Sequence, residues 1–261
     1  MNQPDPNANG MRLYPDVPPF LGARYLRSSG IQKLLLRLLP LRIALVLRTE
    51  LQLATLRVLS WRVTIRYQSL RNALVNIGCG GRGRPGWINV DAFDAPGVTC
   101  RFDCRKRLPF PDGSCRGIFS EHFVEHLDYT EDIPFFIAEC RRVLKDGGVL
   151  RIVVPDGERY LRAYCADGWT ELRQLRSLSP PDYRDPNNGA AYHTKMELIN
   201  EVFRQADQHR FAYDAETLCV LLERHRFQRV ERSAFGRSIM PELCIDSPER
   251  ADESLYVEAM K

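Results

Sequence analysis

The run Leu74-Val75-Asn76-Ile77 gives way to Gly78-Cys79-Gly80-Gly81, and a second run, Ile88-Asn89-Val90, ends in Asp91. One strand stopping at a turn without side chains, then another stopping at a carboxylate, constrains the fold more than any other feature of the chain. In a parallel α/β sheet both features lie at the carboxyl ends of neighbouring strands, where ligands of such sheets bind. The glycines let the backbone approach a nucleoside-bearing ligand, and the acid can accept hydrogen bonds from two ribose hydroxyls. Asp91 follows Gly78 by 13 residues. A dinucleotide fingerprint needs a third glycine opening a full helix and an acid about 20 residues further on, so this spacing disfavours it.

Short apolar runs separated by turn residues predict strands at 74–77, 87–90, 98–102, 117–120 and 149–154. Residues 133–144 have helical spacing and are expected to stop at Lys145-Asp146-Gly147-Gly148, with glycine at the terminus. Asp214, three residues before Thr217, is expected to cap a helix running to Glu223, and strands at 228–233 and 255–259 follow. Residues 167–212 break this rhythm with a Pro/Asp/Asn-rich loop and one helix near 194–205. They read as an insertion covering a substrate.

The N-terminal part has a different character. Residues 1–72 hold 11 Lys/Arg against 3 Asp/Glu, whereas 73–261 hold 26 against 30, so the net charge of +4 conceals a basic extension on an acidic domain. A main domain without surplus positive charge argues against nucleic acid as partner. Residues 1–20 read as an irregular lead-in. Residues 31–67 read as helical with an interruption at Pro40, and Leu47, Leu51, Ala54, Val58, Trp61 and Ile65 form one apolar stripe. Arginines interrupt every apolar run well before the roughly 18 residues that a membrane span needs. The first ten residues lack the basic-then-apolar order of a signal peptide, and eight cysteines without a C-x-x-C pair suit reduced thiols in the cytoplasm.

Asn76-Ile-Gly-Cys-Gly80, Asn89-Val-Asp91, Leu108-Pro-Phe-Pro-Asp112, Glu121-His-Phe-Val-Glu-His126-Leu127 and Arg142-Val-Leu-Lys-Asp-Gly-Gly148 occur in one order. Together they resemble the class I S-adenosylmethionine-dependent methyltransferases, particularly the type 11 group. The ending, with Phe211-Ala-Tyr-Asp-Ala-Glu-Thr-Leu218 and Glu253-Ser-Leu-Tyr-Val-Glu-Ala-Met-Lys261, resembles a bacterial branch found in cell-surface glycan biosynthesis. The resemblance implies an α/β, Rossmann-like, seven-stranded, mostly parallel sheet with an antiparallel C-terminal hairpin at 73–261, behind an amphipathic helical extension at 1–72. It implies S-adenosyl-L-methionine as cofactor. Gly78 and Gly80 would lie under its methionine part, Asp91 would bind the ribose, and Asp103, with Cys104 beside it, would face the adenine amino group. Cys79 shares the glycine turn. Asn76 stands where an acid is common, and it would bond the cofactor's amino group or order the loop. Ser120, Glu121 and His122 would line the sulfonium and substrate side.

The donor of such a reaction is already activated, so the protein must align the acceptor and, for a hydroxyl, help remove a proton. His122 is the first candidate base, because histidine titrates near neutrality, and Glu121 is the second. His126 sits four residues further, on the same face if the stretch is helical, and reads as a buttress. Glu121-His122-x-x-Glu125-His126 has a zinc-like pattern, but the motif context accounts for these residues without a metal, and none is expected. In the insertion, His193, His209, Arg210 and Tyr213 are candidates for contact with a saccharide or phosphate-bearing acceptor. The reading is O-methylation of a saccharide or glycolipid. N- or C-methylation of a small metabolite, or a catalytically silent scaffold, are the alternatives. Residues 31–67 are expected to attach the protein to the inner face of an anionic membrane, or else to pack on the catalytic domain or on a second copy.

Overall fold

The computed structural model describes residues 41–186 and 189–261. Seven strands form one sheet in the order β3-β2-β1-β4-β5-β7-β6. They are β1 (Ala73–Ile77), β2 (Ile88–Asp91), β3 (Cys100–Arg101), β4 (Cys115–Glu121), β5 (Leu144–Pro155), β6 (Gln228–Arg232) and β7 (Ser254–Met260). Strands β1 to β5 pair in parallel, while β7 pairs antiparallel with both β5 and β6. The order reverses between β1 and β4. Such a switch point opens a crevice beyond the strand ends.

Both faces of the sheet are covered, so the central strands are apolar on both sides. Leu150, Ile152 and Val154 of β5 face the main core, which is packed by helices α2 (Asp132–Val143) and α6 (Ala215–Arg224). Val149 and Val153 face a smaller cluster with Phe119, Leu243 and Tyr256. Arg151 alternates onto that second face and is wholly buried there. It meets Asp246 at 2.7 Å and Glu258 at 3.0 Å, and donates to the carbonyls of Ala234 and Arg237. A single buried cation thus anchors the loop between β6 and β7 to the sheet.

Local chemistry matches several expectations. The Asp214 carboxylate accepts from Thr217 N at 2.8 Å and caps α6. Thr194 and Glu197 form a capping box on α5 (Lys195–Arg204). The helix expected to end on glycine does not. α2 ends at Val143, and Leu144 already belongs to β5, paired with Cys115. Gly147, at φ +73°, serves a bend inside that strand, where its N–H donates to the Lys261 carbonyl. The expected third strand shortens to Cys100–Arg101, since Phe102 N already turns back to the Asp91 carbonyl. Helices α3 (Gly157–Cys165) and α4 (Thr170–Arg176) were not foreseen. With α5 they enclose their own core of Tyr160, Leu172, Leu175, Leu198 and Val202.

Helix α1 (Leu41–Tyr67) lies along the β2–β3 side. Gln52 donates to the Ala92 carbonyl at 3.2 Å, Leu53 is buried, and Tyr67 packs edge-on against Phe110. The face that docks is not the predicted stripe. Leu47, Leu51, Ala54, Val58, Trp61 and Ile65 are all exposed, Val58 at 73%. The alternative that this stripe packs on the catalytic domain is therefore overturned. The polar-looking side won because Gln52 and Arg57 have specific partners on the domain. The lead-in and the helical expectation for 31–40 lie outside the described residues.

Candidate active site

The glycine turn, Asp91 and the segment after β4 converge at the carboxyl ends of β1, β2 and β4. Gly78 takes φ +71°, and a Cβ there would stand 2.5 Å from Phe123, so both the turn and the close approach require glycine. Gly78 N and Cys79 N donate to the Val90 carbonyl, which ties the turn to β2. Asp91 completes the arrangement: Oδ2 accepts from Gly80 N and Oδ1 from Phe93 N, both at 2.8 Å. Each oxygen keeps a lone pair for a ligand hydroxyl. Asn76 is buried and donates Nδ2–H to the Arg82 carbonyl at 3.2 Å, so it orders the loop.

Asp103 lies just beyond β3 and is 4% exposed. Its carboxylate is gripped by Arg57 of α1 at 2.8 Å and by Arg105 at 3.1 Å. Burial opposes its charge, but these guanidinium groups outweigh burial and hold the carboxyl below its usual range. Cys104, next to it, is built into the main core, and burial raises its thiol well above the usual value. It forms a wall and not a reactive group.

At the end of β4, the Ser120 hydroxyl is buried without a hydrogen-bond partner. Both oxygens of Glu121 are engaged by Ser247, from its N–H at 2.9 Å and its hydroxyl at 2.5 Å. His122 adopts a left-handed φ of +49° and donates its backbone N–H to Val153. A non-glycine residue held there is strained, and such strain clusters at functional sites. Its Nε2 is 3.0 Å from Ser254 Oγ, and its Nδ1 is 3.4 Å from Glu125 Oε1, a contact without hydrogen-bond geometry. Burial first, then the positive charge of Arg250 and other neighbours, depresses the imidazole well below its usual value. Burial pushes the Glu125 carboxyl up to about 8.

The expectation that His122 and His126 share a helical face fails. Residues Val124–His126 form only a 3-10 turn, so the four-residue spacing points the two rings apart. His126 turns instead to His209, ring edge to ring face, with centroids 4.7 Å apart. Of the residues expected on the acceptor side, His209 and Tyr213 line a small pocket with Glu125, Phe211 and Val202. His193 and Arg210 do not line it. His193 is exposed at the start of α5, and Arg210 is exposed while its N–H holds the Glu125 carbonyl at 2.7 Å. Sequence reasoning gave no role to Ser247, Arg250 or Ser254. Ser247 and Arg250 come from the segment joining β6 to β7, which the Arg151 anchor ties to the sheet, and Ser254 opens β7 opposite Pro155 of β5.

Residues 91–152, from the end of β2 into β5, match the family model described as a methyltransferase domain. No functionally curated protein matches the sequence. Among solved structures, the chain is similar to a SAM-dependent methyltransferase from Archaeoglobus fulgidus (TM-score 0.43, 19% identity, 93% of this chain and 99% of that one). It is also similar to one from Methanosarcina mazei (TM-score 0.40, 16% identity, 73% and 92%). A third similar structure, from Thermotoga maritima, is described as a possible histamine N-methyltransferase (TM-score 0.40, 18% identity, 73% and 83%). At these scores the likenesses carry no argument about the acceptor. The family match over residues 91–152 agrees with the chain's own sheet order and turn geometry on a methyltransferase domain.

Proposed function

We propose that this chain, a class I S-adenosylmethionine-dependent methyltransferase, methylates a hydroxyl of a saccharide or glycolipid, with His122 as the base. The cofactor, when bound, supplies a methyl group already activated on sulfonium sulfur. Gly78 and Gly80, with Asp91, would hold it over β1 and β2, where Asp91 keeps lone pairs for the ribose hydroxyls. As the acceptor oxygen bonds the methyl carbon and the carbon–sulfur bond breaks, the hydroxyl proton must leave. His122 receives it at Nε2, which the Ser254 hydroxyl faces and can supply by relay. The observation that carries this reading is an imidazole held on a left-handed backbone at the end of β4, with both ring nitrogens facing polar partners. A hydroxyl acceptor has use for a base in a way that a neutral amine does not.

The cover built from α3 to α5 and the polar-aromatic run Gln208–Tyr213 would receive the acceptor, with His209 and Tyr213 innermost and His193 and Arg210 outside. Incubation of the purified protein with labelled donor and a panel of lipid-linked and nucleotide sugars tests the reading. Transfer only to amines or carbon acids would replace it with N- or C-methylation, and no transfer to any class would leave a scaffold.

The exposed stripe of α1, with Arg62 and Arg66 exposed beside it, supports a peripheral seat on an anionic cytoplasmic membrane surface. No described helix is long and apolar enough to cross a membrane. A lipid-linked glycan acceptor would be met at such a surface.

A further inference from the structure

Glu125 is 1% exposed, and neither of its carboxylate oxygens has a hydrogen-bond partner. A buried carboxylate left in that condition calls for a group that the protein chain does not supply. Two histidines stand beside it. His126 Nδ1 is 3.1 Å from the Gln208 carbonyl, and His209 Nδ1 is 2.6 Å from the Val202 carbonyl. Each ring therefore donates Nδ1–H to a backbone oxygen and keeps a bare lone pair on Nε2. That is how ligating histidines are fixed in tautomer and direction.

Ligand atoms of Glu125, His126 and His209 all lie within 4.8 Å of one another. Donors bound about 2.0–2.2 Å from one ion can be no more than about 4.4 Å apart, so small side-chain rotations close the shell. The Tyr213 hydroxyl, buried and without a partner, lines the same pocket as Glu125 and His209.

We propose that Glu125, His126 and His209 form a binding site for a first-row divalent transition metal. Two imidazoles and a carboxylate suit zinc, and three protein ligands leave a position open to an oxygen donor. The metal would join the turn after β4 to the segment after α5, and so fasten the acceptor cover to the sheet. This replaces the local pattern seen in the sequence, in which His122 would have been the partner of His126. The true partner lies 83 residues further along, at His209.

Full-length protein stripped with a chelator and titrated calorimetrically with zinc should bind one equivalent at micromolar concentration or tighter. Glu125→Gln and His209→Gln should each weaken binding by about 100-fold or more. Cobalt in place of zinc should give visible d–d absorption without a thiolate charge-transfer band. Absence of stoichiometric zinc binding by the wild type overturns the site. So does equal zinc affinity in both variants, with a thiolate band assigning the ion to cysteine. Thermal melts of each variant confirm folding, and S-adenosylhomocysteine titrations of the stripped protein keep the methyltransferase reading separate from this result.

Discussion

Arg57 places both Nε and a terminal guanidinium nitrogen 2.8 Å from Asp103 Oδ2, so helix α1 holds a carboxylate just beyond the carboxyl end of β3. Arg105 grips the same carboxylate and reaches Glu50 of α1 at 3.1 Å. The basic N-terminal extension is thereby joined to the domain at a residue expected beside the adenine.

Arg57→Ala should lower stability by about 1–2 kcal/mol, since Arg57 is a third exposed and Arg105 remains. That corresponds to a melting temperature roughly 2–8 °C lower. The pH dependence follows from the depressed carboxyl of Asp103. Its stabilisation is complete above the ordinary value of 3.8 and is lost as pH falls below that through the folded value. Urea unfolding of wild type and Asp103→Asn should therefore differ at neutral pH and converge in acid. A constant gap would remove the ion pair from the account.

Asp91 organises the glycine turn and is proposed to hold the ribose. A carboxylate bonded to hydroxyls contributes about 1.5–3 kcal/mol, so Asp91→Ala should weaken S-adenosylhomocysteine binding about 10- to 100-fold. Calorimetry with both S-adenosylhomocysteine and NAD reads this directly. Binding of NAD alone would overturn the cofactor assignment.

If His122 is the base, His122→Ala should slow turnover by about 10²-fold or more with cofactor affinity nearly unchanged. An unaltered rate with an identified acceptor would move the role to Glu121, whose oxygens must first leave Ser247. A fall in cofactor affinity instead would mean that the strained backbone at His122 supports the cofactor site.

Residues 31–67, of which the exposed α1 stripe is part, should carry the protein to anionic liposomes at low salt, with release at high salt and loss of binding when residues 1–40 are deleted. Each Lys/Arg near such a surface contributes about 1 kcal/mol. Protein that stays in the supernatant but sediments as a dimer in the analytical ultracentrifuge would assign the stripe to a second copy, through its 4,3,4,3,4 spacing.

What depends on neighbours along the chain was legible in the amino-acid order. Strand ends at Ile77 and Asp91, the Asp214 cap and the glycine at position 78 follow from backbone sterics and local hydrogen bonding, which act over a few residues. The order of motifs carried the fold class and the cofactor in another way, through the resemblance to a known family. Which groups meet was settled by the folded chain. It turned His126 toward His209, gave both oxygens of Glu121 to Ser247, set Arg57 on Asp103 and left the α1 stripe exposed. Burial and charge pairing settle those contacts, and both depend on residues that are distant in sequence. Glycine at 147 shows the boundary between the two. The glycine itself was legible as a break, but whether it ended a helix or, at positive φ, bent a strand was decided by the pairing of Leu144 with Cys115 across the sheet.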